Sequence, residues 1–171
     1  HIEVTQAVQD ESNQVTLIAG KPTFVRVYVD CGEGCSSVDN VTGILRGYDS
    51  NGELNGSPLS PINLSVAAYH PTDWTVQRGD LGKTLNFTLP SAWSSGTVTL
   101  TAAAAGAQRA ETVTFQEAQT LRIAYVPIHY EPGADGGQKD PTARIDSAQA
   151  WLRKVFPVSG VEYQQVRRLP S

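Results

Sequence analysis

The sequence contains no methionine, only two cysteines and only three histidines among its 171 residues. It has neither the His-Glu-x-x-His run of zinc peptidases nor the Gly-x-Ser-x-Gly elbow of serine hydrolases. No apolar run approaches the roughly 18 residues that a membrane-spanning helix requires. We therefore predict that this chain has no catalytic residues, no metal ligands and no membrane span. Because methionine is absent, we also expect that the encoded protein begins upstream of His1.

Positive charge is also scarce, since the formal net charge is −4. Binding to nucleic acid needs a basic face that contacts phosphates, so the composition argues against it. One basic group lies near the C-terminal end, at Arg153, Lys154, Arg167 and Arg168. We interpret it as a solvated helix end. The expected partners are instead a neighbouring domain of the same polypeptide, or a protein or glycan surface.

The two cysteines, Cys31 and Cys35, lie close together in the run Cys-Gly-Glu-Gly-Cys. Two intervening glycines let the chain curl to disulfide distance. A structural zinc site would need further Cys or His ligands, and no second pair of either is present. The spacing therefore favours a disulfide over two free thiols or a metal site. A disulfide indicates an oxidising compartment, and we expect a secreted, extracellular protein.

Alternation of apolar and polar residues with a period of two dominates the first 127 residues, as it does in half-buried strands. The clearest runs are residues 24–30, 84–89, 97–102, 112–115 and 121–126. In the second run Leu85, Phe87 and Leu89 should point inward, with the Thr and Asn residues between them in solvent. Eight or nine short strands separated by Gly, Pro and Asn turns predict an all-β protein. The specific expectation is an antiparallel β-sandwich of the immunoglobulin or fibronectin type III class.

The pattern changes near Pro127, where strand alternation ends. We expect a β-sandwich domain over residues 1–127, a loop or linker over 128–140, and a helix followed by a strand over 141–171. The helix should be amphipathic, with Asp140 as its N-cap and Pro141 at its first position. These last elements either pack back on the sandwich or form the start of a following domain, which is the interpretation that we favour.

Loop aromatics are the best candidates for ligand contact. Trp74, in Pro-Thr-Asp-Trp, and the nearby Tyr69 are predicted to lie in or beside loops, where β-sandwich binding modules stack sugars. Trp93 also precedes a turn, but a Trp at such a strand-to-strand corner more often closes the end of the core. The sequence therefore nominates Trp74 and Tyr69 as ligand-binding residues.

Two further classes of site stay open. Acidic loop residues could hold calcium without matching the EF-hand spacing, although solvated turns are the default interpretation. They are Asp30, Glu33, Asp39, Asp135 and Asp140. Four Asn-x-Ser/Thr sequons would accept glycans in a eukaryotic secreted protein, but we favour a bacterial source, where they have no such meaning. They begin at Asn40, Asn55, Asn63 and Asn86.

Several segments together resemble an immunoglobulin-like module of large secreted bacterial proteins, in which a predicted zinc metallopeptidase domain often follows. They are residues 2–9, 17–29, 56–61 and 87–93, and residues 141–159 resemble the first helix and strand of the downstream domain. The resemblance implies the sandwich fold but transfers no functional residue, since a zinc-binding helix would lie beyond Ser171.

Three functional hypotheses follow. The chain is a non-catalytic accessory module that positions or docks a neighbouring metallopeptidase domain. Alternatively, it is a carbohydrate-binding module that uses loop aromatics, or an inert fragment of a zinc metallopeptidase.

Overall fold

The computed structural model describes residues 1–10, 12–71, 73–125 and 145–165. The chain divides into two compact units, His1–Glu117 and Ala118–Ser171. The strands are β1 (Ile2–Thr5), β2 (Leu17–Ile18), β3 (Phe24–Val27), β4 (Ser37–Val41), β5 (Gly43–Asp49), β6 (Gly52–Glu53), β7 (Val66–Tyr69), β8 (Leu85–Thr88), β9 (Gly96–Ala104), β10 (Ala107–Gln116), β11 (Thr120–Tyr125) and β12 (Gly160–Gln165). The helices are α1 (Trp74–Arg78) and α2 (Ile145–Val155). Neither described helix combines the length and the apolar character that crossing a membrane demands.

Strands dominate the first unit, so the all-β prediction is confirmed. A three-stranded sheet has the order β1-β3-β8, a five-stranded sheet has the order β2-β10-β9-β5-β6, and β4 pairs with β7. All these pairings are antiparallel except that of β2 with β10, which is parallel. The N-terminal segment therefore contributes to both larger sheets, β1 to one and β2 to the other. The side-chain amide of Gln6 joins the two parts, because it bonds the backbone N–H and C=O of Ile18 at 2.8 and 2.7 Å.

Alternating side chains from both larger sheets form one hydrophobic core. Buried members include Val4, Val25 and Phe87 from the three-stranded sheet and Leu45, Leu100 and Phe115 from the five-stranded sheet. Leu85, Phe87 and Leu89 are buried, as the alternation predicts. Trp93 closes the core as expected, with 1% of its surface exposed and its indole N–H donating to Asn55 O at 2.9 Å.

A side-chain amide closes the free edge of β1. Asn13 Oδ1 accepts a hydrogen bond from the Val4 N–H, and Asn13 Nδ2 donates to Ile2 O, each at 2.8 Å. Gln9 Nε2 also donates to Val4 O at 2.8 Å. Together these amides supply the acceptor and the two donors that a neighbouring strand would supply, so the edge offers less to another chain.

Asn63 closes the free edge of β8 in the same way. Its Oδ1 accepts from the Asn86 N–H at 3.1 Å, and its Nδ2 donates to Thr84 O at 2.9 Å. Asn86 itself is 8% exposed, and its Nδ2 donates to Thr84 O within the fold. Two of the four sequon asparagines are therefore engaged in the structure, whereas Asn40 and Asn55 are exposed.

The outer face of the three-stranded sheet is not the solvated surface that the sequence predicts. Thr84 is fully buried and Asn86 nearly so. The reason is a cover formed by α1 and the 3-10 turn Leu81–Lys83, which the alternation of the strands could not reveal. Arg26, on β3, holds this cover by donating to three of its backbone carbonyls.

The second unit has a different strand arrangement. β11 and β12 pair in parallel, from Thr120 opposite Gly160 to Tyr125 opposite Gln165, and α2 lies between them in sequence. α2 packs on β12, where Gln149 Nε2 donates to Val161 O at 2.6 Å. Trp151, Val155 and Phe156 of this segment remain exposed.

Some sequence predictions fall at different places in the structure. The strand predicted at 121–126 was assigned to the sandwich domain 1–127, but as β11 it belongs to the second unit, because its partner is β12. The helix begins at Ile145 in the described chain. Residues 126–144 lie outside the described residues, and they include the predicted linker 128–140, Asp140 and Pro141.

Replacing Gly47 with Ala should destabilise the first unit. A Cβ at Gly47 would lie 2.7 Å from the ring of the buried Trp93, closer than such atoms can approach, and a tight 3.0 Å from Leu54. We expect G47A to lower the free energy of unfolding by about 1–3 kcal/mol, the usual cost of overpacking.

Gly79→Ala is the matched control, because the nearest atom to its Cβ is 3.7 Å away and its φ of −72° suits any residue. Urea unfolding of both variants measures the difference. Equal stability of G47A and G79A would contradict the packing seen around Trp93.

Candidate functional site

The cover over the three-stranded sheet is anchored by Arg26. Its guanidinium donates to the backbone oxygens of Gln77, Arg78 and Asp80 at 2.8–3.3 Å, and to Thr84 Oγ1 at 3.2 Å. These oxygens belong to the last turn of α1 and the residues after it, where carbonyls have few helical partners. Those of Gln77 and Asp80 also accept the backbone N–H groups of Asp80 and Lys83. A cation at a helix C-terminus satisfies them and also interacts favourably with the helix dipole. Arg26 therefore determines where α1 lies on the sheet.

Glu3 forms the second anchor, from β1. Its side chain is 5% exposed, and its carboxylate is paired on both oxygens. Oε1 accepts from Arg78 Nη2 and Nε at 2.9 and 3.2 Å, and Oε2 accepts from the Tyr28 hydroxyl at 2.6 Å. Arg78 also bonds Gln9 O. A buried carboxylate is tolerated when it is paired and hydrogen-bonded in this way.

Tyr28 connects this polar network to an aromatic cluster, which comprises His1, Tyr28 and Trp74. The Trp74 ring meets His1 and Tyr28 edge-on, with centroid distances of 4.9 and 5.6 Å. Arg26 Cζ lies 5.4 Å from the centroid of the Tyr28 ring, which adds a cation–π contact. Burial and the hydrogen bond to Glu3 raise the pKa of Tyr28 above its ordinary value of 10.0.

Trp74 was predicted in a loop, but it is the first residue of α1. Asp73 is the N-cap, and its Oδ1 accepts from the Thr75 and Val76 N–H groups at 2.9 and 3.4 Å. Hydrogen bonds from Thr75 hold the pKa of Asp73 below its ordinary range. The helix presents Trp74 with 41% of its surface exposed. An Asp immediately before the Trp was the sequence signal that could have identified this helix.

Tyr69 lies beside the disulfide loop. The predicted disulfide is confirmed, with Cys31 and Cys35 joined and their Cα atoms 5.9 Å apart. The Cys31 N–H donates to Tyr69 O at 3.4 Å, and the backbone of Tyr69 forms an isolated parallel β-bridge with Asp30. Its side chain is 45% exposed. The backbone of β7 thus holds the start of this loop.

Asp30, a candidate calcium ligand, is engaged within the same loop. Its Oδ1 accepts from the Gly32 N–H at 2.7 Å and lies 2.8 Å from His70 Nδ1. Glu33 and Asp39 are exposed. Asp135 and Asp140 lie outside the described residues, and no group of three or more His, Cys, Asp or Glu side chains gathers at a metal-binding distance in the described part of the chain.

A pocket of about 470 Å³ lies at this end of the first unit. Small apolar side chains form most of its wall, among them Val38, Val41, Ala68, Ala102 and Ala104. His1 and Tyr28 of the aromatic cluster also line it, as do Asp30, Cys31 and Arg109. An apolar wall with a few charged or polar groups is the usual composition of a small-molecule pocket.

The two sequence-predicted aromatics both lie next to the short segment that follows β3. Trp74 contacts Tyr28, while the backbone of Tyr69 contacts Asp30 and Cys31, which lie two and three residues further along the chain. The sequence did not identify Glu3 and Arg26, which anchor α1 from distant positions, or Arg78, the residue of α1 that bonds Glu3. No family model, no curated protein and no solved structure matches this chain.

Replacing Tyr28 with Phe should change how folding stability depends on pH. Below pH 10 we expect Y28F to be less stable by about 1–3 kcal/mol, because Glu3 loses a hydrogen bond in a buried place. The folded state raises the pKa of Tyr28, so the unfolded chain releases that proton first. Native stability should therefore fall above pH 10, by up to about 1.4 kcal/mol per pH unit more in the natural chain than in Y28F.

Guanidinium unfolding of both proteins between pH 7 and pH 11 measures this difference. We expect the two free energies of unfolding to converge as the pH rises. A stability difference that stayed constant across this range would contradict the assigned interaction between Tyr28 and Glu3.

Proposed function

We propose that His1–Glu117 is an immunoglobulin-like accessory module of a secreted bacterial protein, and that it positions or docks a neighbouring metallopeptidase domain. The observation that carries this proposal is the change in strand arrangement after Glu117. Antiparallel sheets precede it, whereas the parallel pair of β11 and β12 with α2 between them follows it. Parallel strands joined through a helix are typical of α/β domains, so the two units belong to different fold classes.

The order of strands supports the immunoglobulin-like assignment of the first unit. The sheets β1-β3-β8 and β6-β5-β9-β10 correspond to strands A-B-E and C′-C-F-G of immunoglobulin-type sandwiches. β7 departs from this scheme, because it pairs with β4 instead of joining β8. The Cys31–Cys35 disulfide joins two residues four positions apart and is not the disulfide between sheets that antibody domains contain. In this respect the first unit is closer to fibronectin-like members of the architecture. The disulfide also supports secretion.

The second unit has the properties of one part of a larger domain. A two-stranded sheet rarely provides independent stability. Among the described hydrophobic side chains of the second unit, only that of Val161 is buried. The exposed Trp151, Val155 and Phe156 would be covered by further α/β structure. We propose that this structure is the metallopeptidase domain.

A comparison of this chain with its complete gene product tests the proposal. We expect the gene product to cleave an unfolded protein, a chelator to stop the cleavage and zinc to restore it, whereas His1–Ser171 alone should not cleave. Deleting His1–Glu117 should leave cleavage of a short peptide unchanged but reduce cleavage of a protein substrate by about tenfold or more, the scale on which a tethered binding surface acts. A gene product without chelator-sensitive cleavage would refute the link to a peptidase.

Carbohydrate binding is the second candidate function, favoured by the exposure of Trp74 and Tyr69 beside a pocket. If it is correct, Trp74→Ala should weaken retention on an immobilised polysaccharide by about 1 kcal/mol or more, as expected for loss of an aromatic contact. Val76→Ala, also exposed on α1, is the matched control and should bind normally. Absence of any retention by the natural chain across a panel of polysaccharides would eliminate this candidate.

A further inference from the structure

One edge of the five-stranded sheet is left open along most of its length. β10 pairs with β9 from Ala107 to Phe115. On its other side β2 pairs only with Phe115 and Gln116. Within the described chain, no strand pairing uses the outer side of β10 over residues 107–113. This contrasts with β1 and β8, whose free edges are closed by Asn13 and Asn63.

The backbone groups that face outward on this edge can be identified from neighbouring hydrogen bonds. Gln116 O accepts from the Ala19 N–H at 2.9 Å, so the backbone of Gln116 points away from β9. Ala104 and Ala107 are partners across the turn Ala105–Gly106, both residues of which have positive φ as in a type I′ hairpin. Because the direction alternates along a strand, the even-numbered residues 108, 110 and 112 offer their N–H and C=O groups outward.

The charged side chains along this open edge are arranged so that two copies of the edge have complementary charges. Arg109 and Glu111 lie two residues apart, on the same face of β10, with Ala110 between them. If two copies of β10 met antiparallel about Ala110, Arg109 of each would lie directly opposite Glu111 of the other. Both would be non-hydrogen-bonded pairs, in which side chains approach most closely. No salt bridge of the described residues already uses either side chain.

We propose that β10 pairs antiparallel with β10 of a second copy of this chain, centred on Ala110. Two five-stranded sheets would then form one continuous sheet across a two-fold axis, an arrangement that makes the interface self-complementary. The outward backbone groups of Ala110 would bond their counterparts, and Gln108 would lie opposite Thr112. Residues 107–110 are exposed, as this pairing requires.

The limits of the open edge determine this register. The hairpin turn Ala105–Gly106 ends it at one side, and β2 ends it at the other, beyond Val113. Antiparallel pairing centred on Ala110 uses residues 107–113 of each copy, so the turn of one copy falls where β2 of the other begins. A shift by two residues would lose backbone pairs and both ion pairs.

Sedimentation equilibrium of the whole chain tests the proposal, at concentrations up to about 1 mM because an interface of this size is expected to be weak. We expect a reversible monomer–dimer equilibrium whose dissociation constant rises with salt. Arg109→Glu and Glu111→Arg each place like charges opposite one another twice, and each should weaken the dimer by about tenfold or more.

Combination of these variants distinguishes this register from other contacts. The double variant R109E/E111R restores both opposite-charge pairs and should dimerise like the natural chain. An equimolar mixture of R109E and E111R should also form a mixed dimer. In that dimer one copy carries acidic side chains at both positions and the other carries basic side chains at both. Failure of both combinations to recover dimerisation would overturn the register.

A backbone variant provides an independent test. Ala110→Pro removes an outward N–H without removing a hydrogen bond to β9, so it should abolish the dimer while the circular dichroism spectrum stays unchanged. Ala110→Val keeps the N–H and is the matched control. A natural chain that is monomeric at every concentration, or a dimer that A110P leaves intact, would overturn the proposal. The proposal would also be overturned if the chain stayed monomeric and its β10 edge bound an unrelated extended peptide.

Discussion

The buried carboxylate of Glu3 is the constraint on which the outer half of the first unit depends. A carboxylate removed from water is costly unless its oxygens are paired, and here Arg78 and Tyr28 provide the partners. Arg78 is in α1, so the requirement for a counter-ion also places that helix on the sheet. Arg26 adds a second attachment through the backbone carbonyls of Gln77, Arg78 and Asp80. The position of Trp74 follows from both anchors, since it begins the same helix.

Control of sheet edges is a second principle of this fold. Short sheets leave many backbone groups unpaired, and such groups invite pairing with other chains. In the three-stranded sheet, the side-chain amides of Asn13, Gln9 and Asn63 hydrogen-bond to backbone groups of the edge strands. Without these amides, the backbone of a loop would have to make the same hydrogen bonds. Asparagine and glutamine suit this task because one amide carries both a donor and an acceptor. The open edge of β10 therefore differs in kind from the edges around it.

Much of the architecture could be predicted from local pattern. Period-two alternation located β3, β8 and β9 and assigned Leu85 and Phe87 to the core, because side chains of a strand alternate between two faces. The spacing of Cys31 and Cys35 was enough to predict their bridge. The alternation did not predict α1, since its five residues carry no helical periodicity and its one clear signal is the N-cap Asp73.

The sequence by itself determined which residues of each strand share a face and which cysteines meet. Only the tertiary structure decided what covers those faces. It buried Thr84 and Asn86 beneath α1, joined Glu3 to Arg78 across 75 residues and assigned β11 to the second unit through its pairing with β12. The physical reason is that alternation specifies the direction of a side chain, whereas burial and pairing depend on segments that are distant in the chain.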